Sequence, residues 1–87
     1  MQMLTTSRYA STETRRLAKK IAEEKNEPFF ARGKKTIAQL AALARRIGEG
    51  RISVIEERQG KAALIAELTV DEKGKWKWEK SNKFIIM

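Results

Sequence analysis

The chain has no cysteine and no histidine. Together these absences remove disulfides, thiolate zinc sites, thiol nucleophiles and imidazole acid–base chemistry. A reducing compartment suits such a chain, and the cytoplasm is the expected address. With a single proline in 87 residues there is little that reads as an extended linker. No stretch approaches the roughly 20 apolar residues that a membrane-spanning helix needs. The N-terminus also lacks the charged-then-apolar layout of a signal peptide, so no membrane partner is expected. Acidic residues are scarce beside basic ones, 11 Asp+Glu against 19 Lys+Arg, for a formal net charge of +8.

What is present describes one folded domain, residues 1–87, near the lower end of what can bury its own core. A hydrophobic fraction of 41% is sufficient for a globular fold, and 34% charged residues with a single proline argue against a disordered tail. The cationic excess makes nucleic acid the leading partner class, ahead of an acidic protein surface or an anionic membrane. Catalytic signals are few. Arg32-Gly33-Lys34-Lys35-Thr36 looks like the end of a phosphate-binding loop, but the upstream glycine is absent. A nucleotide hydrolase is therefore rejected, and a non-enzymatic protein without metal or cofactor is expected.

The organisation is a repeated unit: a short apolar stretch, a cationic cluster, then an amphipathic helix. Residues 2–6 are short enough for a strand, and residues 7–10 form a loop. Ser11 or Thr12 caps a helix in which Thr14, Leu17, Ala18, Ile21 and Ala22 share one face, ending near Lys25-Asn26 ahead of Pro28. Phe29-Phe30 is a brief β-favouring run. Thr36 caps a second helix, where Ile37, Leu40, Ala41, Ala44 and Ile47 make the apolar stripe and Gly48 the stop. The period then changes to alternation: Ile52 and Val54 on one strand face with Ile55 opposite, and Ala62, Leu64, Ala66, Leu68 and Val70 on the next strand. Turns fall at Gln59-Gly60 and Lys73-Gly74, followed by a strand in Lys75-Trp76-Lys77-Trp78-Glu79-Lys80 and an apolar strand-like segment at 84–87. The fold class is α/β: a β-α-β-α-β-β layered unit with a mixed sheet and two helices.

Right-handed crossovers would bring the two strand-to-helix junctions to one edge of the sheet. Arg8, Arg32, Lys34 and Lys35 sit at those junctions, where helix N-terminal amides and side-chain cations make a seat for phosphate. Gly33, without a side chain, allows close backbone approach. Arg15, Arg16, Lys19 and Lys20 form repulsive i,i+4 pairs on the first helix, relieved by nearby acids or by bound phosphate. Arg45 and Arg46 occupy the last turn of the second helix and favour its dipole. Trp76 and Trp78 share one strand face, a pattern that covers a core, forms a protein contact or stacks on bases.

Read together, Leu4-Thr5-Thr6-Ser7-Arg8, then Ser11, Thr14-Arg15 and Leu17-Ala18, then Ala31-Arg32-Gly33-Lys34 ahead of a helix, resemble the N-terminal half of a Brix-domain protein in its short archaeal form. The likeness continues through Val54-Ile55-Glu56-Glu57-Arg58-Gln59-Gly60, similar to the family's hairpin. It implies a role in ribosome biogenesis, with ribosomal RNA or pre-rRNA as partner, and ribosomal or assembly proteins beside it. It also implies an α/β unit similar to the anticodon-binding domain of class II tRNA synthetases. Thr6, Ser7, Arg8, Arg15, Arg32, Gly33 and Lys34 carry over as the RNA-facing set, to which the charge pattern adds Arg16, Lys19 and Lys35. A complete Brix domain has two such halves, so the expectation is either that the second half is missing and supplied by a partner or that a homodimer rebuilds a two-lobed surface. Trp76, Trp78, Phe84 and Ile86 are then the candidate interface. The rival expectation is a protein-interaction module that pairs through those C-terminal strands and has no nucleic-acid role.

Overall fold

A computed structural model describes residues 3–58, 61–79 and 83–84. The elements in chain order are β1 (Met3–Thr6), α1 (Thr12–Lys25), α2 (Ile37–Arg46), β2 (Arg51–Arg58), β3 (Lys61–Val70), β4 (Trp76–Trp78) and β5 (Lys83–Phe84). No helix among the described residues is long and apolar enough to cross a membrane.

Both helices are set by local chemistry. Ser11, in extended conformation, caps α1 by accepting from the Thr14 N–H at 3.2 Å, and left-handed Asn26 closes it ahead of Pro28. Thr36 opens α2 with a reciprocal pair: its hydroxyl accepts from the Gln39 N–H at 3.2 Å, and the Gln39 amide oxygen accepts from the Thr36 N–H at 2.8 Å. Leu40, Ala41 and Ala44 are fully buried, as their spacing requires. Ile47 departs from the expected stripe. It stands at the C-cap, where the chain leaves helical geometry for Gly48 at φ +82°, and is 39% exposed.

The sheet is mixed. Its order is β1-β2-β3-β4, with β1 parallel to β2 and the other pairs antiparallel; β5 pairs with β3 beside Leu64 and Ile65. The expected strand at Phe29-Phe30 is reduced to one parallel bridge between Leu4 and Phe29. The Leu4 N–H donates to the Pro28 carbonyl at 2.9 Å, and the Phe30 N–H to the Leu4 carbonyl at 3.0 Å. Pro28 offers no N–H in return, and the chain turns away at Arg32, whose carbonyl accepts from the Lys35 N–H at 3.0 Å.

The chain therefore goes from β1 over α1 to one side, then back over α2 past β1 to β2. If both crossovers keep the usual right hand, reversing direction puts the two helices on opposite faces of the sheet. The core divides accordingly. Met3, Ile52, Val54, Leu68 and Val70 pack with Leu40, Ala41 and Ala44 of α2, while Leu4 and Ile55 pack with Ala18 and Ala22 of α1. Covered on both faces, β2 is buried from Ile52 through Ile55.

A register shift between Glu56 and Glu57 bends β2 just beyond its buried part. The Gln59-Gly60 turn lies outside the described residues; the flanking pair is Arg58 with Lys61. At the next turn Asp71 Oδ1 accepts from the Lys73 and Lys75 N–H groups, both at 2.9 Å, and Gly74 takes φ +83°. Of the expected C-terminal strand, residues 85–87 also lie outside the described set.

Candidate nucleic-acid interface

Because Leu4 and Phe29 bridge in parallel, the segments after them leave the sheet at the same end, and the loops at 7–10 and 31–35 come together. The Thr5 hydroxyl donates to the Phe30 carbonyl at 2.7 Å. Arg32 completes the connection, with Nη1 donating to the Thr6 carbonyl at 3.1 Å and Nε to the Lys35 carbonyl at 2.6 Å. At 7% exposure Arg32 is a brace between the two junctions, not an open cation. Burial, and then the neighbouring Arg8 charge, lower its pKa, with Glu56 opposing; the guanidinium nonetheless stays charged at any physiological pH.

The other expected residues divide by exposure. Thr6 is buried and its hydroxyl donates to the Ser7 carbonyl at 3.1 Å; the half-buried Ser7 donates its N–H to the Ile55 carbonyl at 2.9 Å. Arg8, Arg15, Arg16, Lys19, Gly33, Lys34 and Lys35 are exposed. Lys35 turns back to donate from Nζ to the Ala31 carbonyl at 3.2 Å. Gly33 is at φ +54°, and no atom lies within 4 Å of where a Cβ would be, so the turn demands the glycine and packing does not.

Two hollows flank Arg15 of α1. One, of about 400 Å³, lies between α1 and the Phe29 segment and is lined by Arg15, Arg16, Lys19 and Phe29. The other, of about 240 Å³, lies at the junction and is lined by Ser7, Tyr9, Arg15, Gly33 and Lys34. Arg15 belongs to both, and none of the described residues lining either is acidic. Lys19 Nζ sits 5.9 Å from the Phe29 ring centroid, and past Lys19 the next hollow is lined by Glu23 and Glu27. The basic stretch thus runs from Lys34 through Arg15 and Arg16 to Lys19 and ends there. Along it Arg15 and Lys19 form a like-charge i,i+4 pair, offset in part by Glu23 four residues beyond Lys19.

The helix N-termini contribute less than the sequence suggested. At α1 the Ser11 N–H donates to Glu57 Oε1 and the Thr14 N–H to the Ser11 hydroxyl; at α2 the capping pair uses the Thr36 and Gln39 N–H groups. The positive character of this edge therefore comes chiefly from side-chain cations. The Ser11 amide, with smaller help from the Thr14 and Ser11 side chains, holds the Glu57 carboxyl below its ordinary pKa against a weaker opposing effect of burial. No group of three or more His, Cys, Asp or Glu side chains fit to share a metal ion occurs among the described residues.

Tyr9 is the residue that sequence reasoning missed. It is 75% exposed, lies at φ 59°, and has Arg8 Cζ 5.5 Å from its ring centroid. Its available signal was a lone aromatic in a polar loop. Trp76 and Trp78 lie elsewhere, on β4, at the side of the sheet opposite β1, and are 44% and 43% exposed. The backbone at Phe84 pairs with β3, and Ile86 lies outside the described residues.

No family model and no curated protein matches the chain. Among solved structures it is similar to Mil, an archaeal Imp4-like protein, with a TM-score of 0.70 and 31% identity over 85% of this chain and 46% of that one. It is also similar to a probable ribosomal biogenesis protein from Aeropyrum pernix K1, with a TM-score of 0.72 and 30% identity over 78% of this chain and 38% of that one. The chain spans less than half the length of either protein. Its architecture is a partial Brix-like fold, in agreement with the resemblance read from the two junction segments.

Proposed function

We propose that this chain, a Brix-like protein equivalent to about half of an Imp4-like architecture, acts in ribosome biogenesis as a non-enzymatic RNA-binding protein. The observation that carries the reading is the acid-free basic stretch of Lys34, Arg15, Arg16 and Lys19 beside the two braced junctions. In this reading the exposed cations neutralise successive phosphates while the buried Arg32, Thr5 and Thr6 hold the two loops at a fixed separation. Ribosomal RNA or its precursor is the partner that the likeness to a ribosomal biogenesis protein favours. Binding of this kind displaces counterions, so affinity falls steeply as salt rises.

The test is a titration of labelled ribosomal RNA fragments, and of unrelated structured RNA of equal length, over several salt concentrations. Tighter, salt-dependent binding to the ribosomal fragments supports the reading. Absence of binding at low salt would overturn it and leave a protein-pairing role as the alternative. That second reading is favoured by one observation, the pair of half-exposed tryptophans on the three-residue strand β4.

A further inference from the structure

The loop at 7–10 holds the chain's single tyrosine where folding alone gives no reason to keep it. Tyr9 is at φ 59°, a left-handed conformation that residues with a Cβ seldom adopt. Asn26 is the other such residue among the described ones, and it closes a helix; Tyr9 closes none. Nor is the ring part of the core, since 75% of the residue faces solvent.

Its surroundings suit a planar, polyanionic ligand. Arg8 lies 5.5 Å from the ring centroid, within cation–π range. Tyr9 also lines the junction hollow together with Arg15 and Lys34. Any nucleobase has a π-face that stacks on such a ring, and cations on either side can neutralise the neighbouring phosphates. In a duplex those base faces are occupied by adjacent base pairs.

We propose that Tyr9 stacks an unpaired base of an RNA strand whose flanking phosphates are held by Arg15 and Lys34, so that this junction selects single-stranded RNA over duplex. The proposal rests on the RNA-binding reading above, which by itself would be met equally by a duplex. It adds an element of recognition that charge cannot supply.

The experiment measures binding of labelled single-stranded and duplex RNA of equal length to the wild-type chain and to Tyr9→Ala, Tyr9→Phe, Tyr9→Gly and Arg15→Gln, over a range of salt. Wild type should prefer the single strand. Tyr9→Ala should weaken single-strand binding by about 5- to 150-fold, the range for losing one stacked base, and leave the salt slope unchanged because no charge is removed. Tyr9→Phe should bind like wild type. Tyr9→Gly relieves the backbone and should melt no lower than wild type while losing the same affinity, which separates stacking from folding. Equal single-strand binding by wild type and Tyr9→Ala, with Arg15→Gln weakened, would overturn the stacking role and leave the RNA reading intact. So would an equal loss on single strand and duplex. If wild type binds neither RNA, both readings fall. If an acidic peptide of equal charge binds as tightly and with the same dependence on Tyr9, the partner is a protein and the proposal is overturned.

Discussion

Arg32 Nη1 donates to the carbonyl of Thr6 across 3.1 Å, joining residues 26 positions apart at the ends of the two segments that lead into the helices. The same guanidinium also satisfies the Lys35 carbonyl. One buried side chain therefore fixes the spacing of the loops that carry the exposed cations. Arg32→Ala should lower stability by about 2–3 kcal/mol, because it strands a buried carbonyl and removes packing along the stem. In a domain of this size that is a melting temperature lower by roughly 10–20 °C. Arg32→Lys should recover little, since one ammonium cannot reproduce a fork that reaches two carbonyls. Thermal denaturation of both variants is the measurement, and a lysine variant as stable as wild type would refute the bracing role.

What could be read from the sequence was local. Ser11 and Thr36 cap their helices through Thr14 and Gln39, partners only three positions along the chain, and the opposite facing of Val54 and Ile55 comes from strand alternation. What escaped depends on residues that meet only in the fold. Arg32 read as a surface cation because its cluster is cationic; its burial needs two turns to converge on Thr6. Phe29-Phe30 read as a strand, yet Pro28 on one side and the turn at Arg32 on the other leave room for a single bridge. Tyr9 escapes because a left-handed tyrosine has no sequence signal of the kind that glycine gives.

The contact between Glu57 and Ser11 spans 46 residues and lies directly after the register shift at Glu56/Glu57. Its carboxyl titrates below the ordinary value of 4.5, first because the Ser11 amide donates to the charged form. A depressed carboxylate contributes stability that is fully present above the unfolded value and is lost as pH falls through the folded one. Wild type should therefore melt above Glu57→Gln by a constant margin from pH 7 to about pH 5, and the margin should shrink as the solution is acidified further. Denaturation curves for both proteins between pH 7 and pH 3 provide the check. Curves that stay parallel throughout would show that the charge on Glu57 contributes nothing.

The basic stretch is confined to one face. Arg15→Gln and Lys19→Gln should each reduce the slope of log affinity against log salt by roughly 0.7 for single-stranded RNA, one phosphate contact apiece. Arg45 and Arg46 are in the last turn of α2, whose packed residues lie on the other face of the sheet. Changing both to Gln should leave the slope as it was and lower stability by about 0.3–1 kcal/mol per residue, from loss of the favourable helix-end charge. A slope that responded equally to all four changes would mean that net charge, not this groove, controls binding.

The tryptophan pair poses a separate question. Trp76 stands opposite Val70 and Trp78 opposite Leu68, and directly paired residues share a sheet face, so both tryptophans lie on the α2 side of the sheet at the β4 edge. There they remain 44% and 43% exposed, with Lys77 between them as a charge that discourages indiscriminate edge pairing. β4 and β1 occupy opposite sides of the strand order, so a surface at Trp76 and Trp78 can act independently of the basic junction. The double variant Trp76→Ala, Trp78→Ala should therefore keep wild-type RNA affinity and salt slope. If the pair is a contact between copies of this chain, native mass spectrometry should show wild-type dimers at micromolar concentration and monomers of the variant. If wild type is monomeric and the variant loses only stability, by about 2 kcal/mol per half-covered ring, the tryptophans serve to cover the core. A fall in RNA affinity in the folded variant would contradict the separation of the two surfaces and extend the RNA path across the sheet to β4.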